Sequence, residues 1–173
     1  DPRYHILSKN WTLSQAAAFL WNYLFQGVLF YAIAMVFIIF NQQAHGIATR
    51  GYFYIGASIS LIAIINQWFC DASLKRFLQQ EKQKDAVCER GWWRYSRHPN
   101  YFFEWLNWCG FAICAWPYPY GFIGLISPAV LLLVFFKWTI DLTEQQSLQS
   151  RGAVYRAYQQ RTSKWLPWFR SKV

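Results

Sequence analysis

The chain has 173 residues, of which 55% are hydrophobic, 21% aromatic and 14% charged, and it carries a net charge of +9. Soluble domains carry about a quarter charged residues, so this composition excludes an ordinary soluble globule. A nucleic-acid binder would spread its basic residues over a soluble scaffold, whereas here long uncharged runs separate them, and no nucleic-acid partner is expected.

Four apolar spans follow one another along the chain. Ser14 to Phe40 carries no charged residue and is long enough to cross a bilayer with some tilt. Tyr52 to Cys70 is the second, ending in Asn66, Gln67 and Trp68. Asp71 to Lys84 continues it as an amphipathic helix, with Leu74, Phe77 and Leu78 apolar among charges. Tyr101 to Trp116 is a short third span interrupted once by Glu104. Pro117-Tyr-Pro119-Tyr-Gly121 then makes a tight turn, because proline and glycine end helices. Tyr120 to Phe136 is the fourth span, closed by Lys137 and Trp138, and the tail from Asp141 extends it. The expected fold is an all-α, polytopic membrane bundle of about four transmembrane helices with amphipathic extensions, one membrane domain over residues 1–173. The start at Asp1 leads us to expect the C-terminal, ligand-binding part of a longer protein.

Of the 17 Lys and Arg, Arg50 alone lies between spans one and two, and the Pro-Tyr-Pro turn has none. The rest fall in the N-terminal stretch, in 71–99 and in 137–173. Four crossings place those three segments on one side, and the positive-inside rule makes that side the cytoplasm. The four cysteines show no C-x-x-C spacing and the three histidines are scattered. Neither a disulfide framework nor a metal site is expected.

The densest chemistry lies between Cys88 and Glu104. Arg90, Arg94 and Arg97 offer guanidinium forks for phosphate, and Trp92, Trp93 and Tyr95 offer stacking faces. An Arg–Trp anchor at a membrane interface would look the same. Pro99 biases His98 away from helix, so the third span starts just after it and opens its N-terminal N–H groups toward the arginines. Asn100, Glu104 and Asn107 recur at i, i+4 and i+7 and share one face. A carboxylate at that depth is costly in lipid and must face protein or a polar cavity. In a second cluster, Asp141, Glu144, Tyr155, Tyr158 and Arg161, the first two share a face at i, i+3 and the two tyrosines do the same, as in a solvated helix. No nucleophile–base pair, Walker loop or G-x-G-x-x-G is present, so no catalytic residue is assigned.

At Gly91-Trp-Trp-Arg-Tyr-Ser-Arg-His-Pro-Asn-Tyr-Phe-Phe-Glu104 the chain resembles the steroid 5α-reductase superfamily of membrane enzymes, most nearly its uncharacterised bacterial branch. The likeness extends to Asp1-Pro-Arg-Tyr4, to Asp71 with Arg76-Phe77, and to Tyr155-Arg-Ala-Tyr158-Gln-Gln-Arg161-Thr-Ser followed by Pro167. The superfamily includes steroid 5α-reductases and sterol Δ14-reductases, which reduce an activated carbon–carbon double bond with NADPH held among the C-terminal helices. The resemblance implies that Trp93, Asn100 and Glu104 match cofactor-contacting positions, that Glu144 and Tyr158 match the C-terminal cofactor wall, and that Arg76 and Arg97 are phosphate-side candidates, to which the arginine-rich segment itself adds Arg94. It also implies a lipid-soluble, steroid-like or isoprenoid substrate and a bacterial inner-membrane location with both ends of this chain cytoplasmic. Two departures stand out. The glutamate and tyrosine that polarise the substrate carbonyl in steroid reductases lie in early helices, expected upstream of Asp1, and Phe102-Phe103 replaces a glycine often found before the acidic residue.

Two other functions fit the residues. Isoprenylcysteine carboxyl methyltransferases share an Arg-His-Pro-x-Tyr segment and would take S-adenosylmethionine, but they carry two adjacent acidic residues where this chain has Glu144-Gln145. A non-enzymatic membrane scaffold would instead show a packed interior, with Glu104 paired and no cavity.

Overall fold

The computed structural model describes residues 15–40, 47–81 and 85–169. Helix α1 is Gln15–Phe40, α2 is Ile47–Gln80 and α3 is Pro99–Ala115. A 3₁₀ turn, Gly91–Arg94, precedes α3, and a second, Gly121–Leu125, follows it. The chain then continues through α4 (Ile126–Val134), a π-helical turn at Phe135–Thr139 and α5 (Ile140–Arg161). Among the described residues there is no strand, only an isolated bridge between Ser96 and Ser163. The molecule is a helical membrane bundle.

Three stretches are long and apolar enough to cross a bilayer: Phe19–Ile39, Thr49–Gln80 and Gly121–Arg161. They coincide with the first, second and fourth expected spans. The third, α3, has 17 residues, which at 1.5 Å each is about 26 Å against a hydrocarbon core of about 30 Å. It starts two residues before the expected Tyr101 because Pro99 takes its first turn, where the missing N–H costs nothing. The amphipathic continuation of α2 is present as far as Gln80, with Phe77 buried and Lys75, Arg76 and Leu78 exposed. Lys82 and Lys84 lie outside the described residues, as does the Asp1–Tyr4 opening.

Side-chain contacts fix the direction of each helix. Phe25 meets Trp138 at one end of α1, while Val36 and Ile39 pack on Ala115 at the other, so α1 runs antiparallel to the 121–139 segment. Helices α2 and α3 are also antiparallel, from Gly56 beside Gly110 to Cys70 and Phe77 beside Phe103. Among the described residues, the basic parts of 71–99 and 137–169 therefore share one end of the bundle and the Pro-Tyr-Pro turn lies at the other. Large apolar side chains on α1 and α2, among them Leu20, Val28, Phe30, Leu61 and Ile62, are exposed. Exposure of this kind would drive a soluble protein to aggregate, and here it supplies the lipid-facing surface.

The seam between α2 and α3 is built on small residues. Gly56, Ser60 and Ala63 face Asn107, Gly110 and Cys114, and the Ser60 hydroxyl donates to the Asn107 carbonyl at 3.0 Å. Lipid supplies no hydrophobic drive between helices, so close backbone approach and such bonds hold them together. A Cβ added at Gly110 would lie 2.6 Å from the Gly56 carbonyl oxygen, whereas one at Gly51 meets nothing within 4 Å. Gly110→Ala should therefore lower stability in detergent by about 1–3 kcal/mol, and Gly51→Ala should leave it unchanged or raise it. Thermal unfolding of the two variants beside the parent checks this contrast; equal behaviour would show that the seam is looser than described.

Candidate functional site

The segment between α2 and α3 is fastened to both of its neighbours. The indoles of Trp92 and Trp93 donate to Asn66 Oδ1 and to the Cys70 carbonyl, each at 2.9 Å, which pins the 3₁₀ turn along one face of α2. On the other side, Arg97 N donates to the Ser163 carbonyl at 2.8 Å and Ser96 Oγ to the Trp165 carbonyl at 2.7 Å. The Tyr158 hydroxyl donates to the Trp93 carbonyl.

Residues 158–168 reach this segment because α5 bends. Gly152 has φ 49° and ψ −120°, a conformation open to glycine alone among common residues, and it turns the last part of α5 back across the end of the bundle. At the centre of the joint lies Glu144, 9% exposed. Its carboxylate accepts from Arg97 Nε at 2.7 Å and from Gln159 Nε2 at 2.9 Å, with His98 Nε2 at 3.3 Å. Arg97 also donates to the Gln159 and Thr162 carbonyls at 3.0 and 2.6 Å. Four guanidinium and carboxylate contacts thus join the start of α3 to both halves of α5. The His98 ring stacks on Tyr101, and Tyr101 on Phe135, with ring planes 8° and 13° apart.

Above this joint lies a cavity of about 230 Å³. One wall is apolar, formed by Leu74, Phe77, Leu78 and Val87. Trp93, Arg97, Asn100 and Tyr158 close another side. The third wall is Thr143, Ser147 and Arg151, one face of α5 at four-residue spacing, with Tyr155 beyond the bend. No carboxylate lines it among the described residues. Cys88 contributes a thiol that burial pushes above its ordinary value, against the opposing influence of Arg90, so it stays protonated and un-nucleophilic at neutral pH.

Of the expected site residues, Trp93, Arg97, Asn100 and Tyr158 meet at this one cavity, and Glu144 lies behind it holding Arg97. Glu104 does not reach it. One turn further along α3, it is near Asp71, which is itself within hydrogen-bonding reach of Asn100. Arg76 and Arg94 are exposed and outside the lining. Arg161 and Asp141, grouped with Glu144 by spacing, pair instead with Glu89 and Lys164. Sequence reasoning missed Thr143, Ser147 and Arg151. Their i, i+4, i+8 register with Tyr155 just beyond was the available signal, hidden because Gly152 interrupts the helical period.

The chain matches the family described as Protein of unknown function (DUF1295) over residues 1–162. It belongs to that family. No curated protein and no solved structure matches the chain. The DUF1295 match takes in α1 through α5 and all the cavity residues, and it ends at Thr162, whose carbonyl receives Arg97.

Removing one partner of a buried ion pair leaves the other uncompensated, at a cost of about 3–5 kcal/mol. Glu144→Ala should lower stability by that amount, and Gly152→Ala by about 1–3 kcal/mol through backbone strain. Thermal unfolding in detergent reads both; a Glu144→Ala variant as stable as the parent would remove Glu144 from the centre of the joint.

Proposed function

We propose that the protein is an NADPH-dependent membrane reductase of the steroid 5α-reductase type, acting on a carbon–carbon double bond of a lipid-soluble substrate. The observation that carries this reading is the convergence of Trp93, Arg97, Asn100 and Tyr158, up to 65 positions apart in sequence, on one cavity. Its lining suits a phosphorylated dinucleotide. It has aromatic faces, hydroxyls, two arginines and no carboxylate among the described residues, and the buried Arg151 Nε has no protein partner. The cofactor would supply the hydride. The chain's own residues would bind and orient it: Trp93 and Tyr158 as walls and Asn100 through its amide. The single Tyr158 proton is engaged by the Trp93 carbonyl, so this hydroxyl acts in positioning. A volume of about 230 Å³ is below the usual range for whole drug-sized ligands, so one end of the dinucleotide would enter and the rest would lie toward the exposed basic residues. By the positive-inside rule this end of the bundle faces the cytoplasm, where the cofactor is found.

The small volume also favours a second reading, an S-adenosylmethionine-dependent methyltransferase. S-adenosylmethionine carries a sulfonium and an ammonium, however, and a cavity whose charged lining residues are arginines disfavours a cation. Binding of NADPH and of S-adenosylmethionine to the purified chain in detergent, at two salt concentrations, separates the two. NADPH should bind, more weakly at high salt, and Asn100→Ala should weaken it about tenfold, as expected for one lost hydrogen bond. Binding of S-adenosylmethionine in its place would overturn the reductase.

A further inference from the structure

The two arginines of the cavity have different fates. Arg97 is largely engaged by the protein: its Nε serves Glu144 and one terminal nitrogen serves two carbonyls. Arg151 has no carboxylate partner among the described residues. Its contact in the protein is a long one, from a terminal nitrogen to Ser147 Oγ at 3.3 Å, and its Nε is buried without an acceptor. Three other cations at this end of the bundle have protein partners, Arg161 with Glu89, Lys164 with Asp141 and Arg90 with Gln80, while Arg76, Arg94 and Arg156 are exposed. A guanidinium held in a cavity without a counter-ion is costly unless an anion completes it.

We propose that Arg151 is the anion receptor of the cavity and that the group it receives is a phosphate carried on a partly apolar molecule. In the reductase reading, on which the choice of dinucleotide rests, this is a phosphate of NADPH. Phosphate is favoured over carboxylate by the donors at hand. The guanidinium fork, the Ser147 hydroxyl and the Tyr155 hydroxyl, which is within hydrogen-bonding reach of Ser147, converge from two turns of α5. Three acceptor oxygens in a tetrahedral array match donors from several directions better than two in one plane do. The facing wall of Leu74, Phe77, Leu78 and Val87 would take the uncharged part of the same molecule. The bend at Gly152 directly after Arg151 holds the arginine at the inner edge of the cavity instead of letting it continue along a solvated helix.

The test uses the full chain in zwitterionic phosphatidylcholine nanodiscs, as the parent and as Arg151→Gln, Arg151→Lys and Arg156→Gln. Arg156 is exposed on the same helix and controls for loss of one charge. Dissociation constants are measured for NADPH and NADH, and thermal midpoints with and without inorganic pyrophosphate. Arg151→Gln should weaken NADPH about 10- to 100-fold, the range for a lost charge-assisted contact. Arg151→Lys should recover part of that loss, and Arg156→Gln should bind like the parent. Loss for NADPH alone assigns Arg151 to the ribose phosphate, and equal loss for NADH assigns it to the pyrophosphate. Unchanged NADPH binding by Arg151→Gln overturns the proposal, as does an equal loss in Arg156→Gln. A parent that binds neither dinucleotide sinks the reductase reading. In that case the receptor stands if pyrophosphate raises the midpoint of the parent but not of Arg151→Gln, and falls if it raises neither.

Discussion

The Arg97–Glu144 pair is the contact on which the cavity end of this protein depends. A carboxylate and a guanidinium removed from water are stable only when their remaining hydrogen-bonding capacity is also used. Here it is used by Gln159, His98 and the carbonyls of Gln159 and Thr162. Those partners come from the start of α3 and from both sides of the Gly152 bend, so satisfying one buried charge pair dictates where three backbone segments go. The cavity is the space left between them and α2.

This arrangement separates two kinds of polar residue that look alike in sequence. Arg97, Glu144, Ser96 and Tyr158 hold the walls together and direct most of their hydrogen bonds into the protein. Asn100, Ser147 and Arg151 line the cavity, and the buried Nε of Arg151 has a donor still to be used. A buried arginine bonded to a carboxylate and to carbonyls is a structural element, whereas Arg151 has one long contact, to Ser147 Oγ, and a buried Nε without an acceptor.

Much of the bundle was legible in the sequence because lipid allows few solutions. Long uncharged runs must be helices with satisfied backbones, so α1, α2 and the 121–139 crossing followed from counting. The start of α3 followed from Pro99. The meeting of Trp93 and Asn100 with Tyr158 was legible only through a family resemblance, since the residues are far apart and no local pattern joins them. The Asp141, Glu144, Arg161 grouping shows the limit of spacing. Asp141 and Glu144 share a helical face, yet only Glu144 is buried, because the bend at Gly152 and the pairing of Arg161 with Glu89 and Asp141 with Lys164 depend on tertiary partners. The α2–α3 seam was hidden for a similar reason: Gly56, Ser60 and Gly110 look unremarkable until their backbones are seen to touch.

The bonds from the last turn of α5 and the segment after it have a consequence in time. Arg97 and Ser96 emerge from the ribosome more than sixty residues before Thr162, Ser163 and Trp165, whose carbonyls they need. Helices α2 and α3 can enter the membrane and close their small-residue seam first, since their contacts are between neighbours in the chain. Throughout that interval Arg97 and Ser96 lack those carbonyl acceptors, and the α2–α3 pair stands in the membrane with its mouth unfinished. The walls of the cavity are thus completed only once residues 158–165 have been made, well after the seam that carries them.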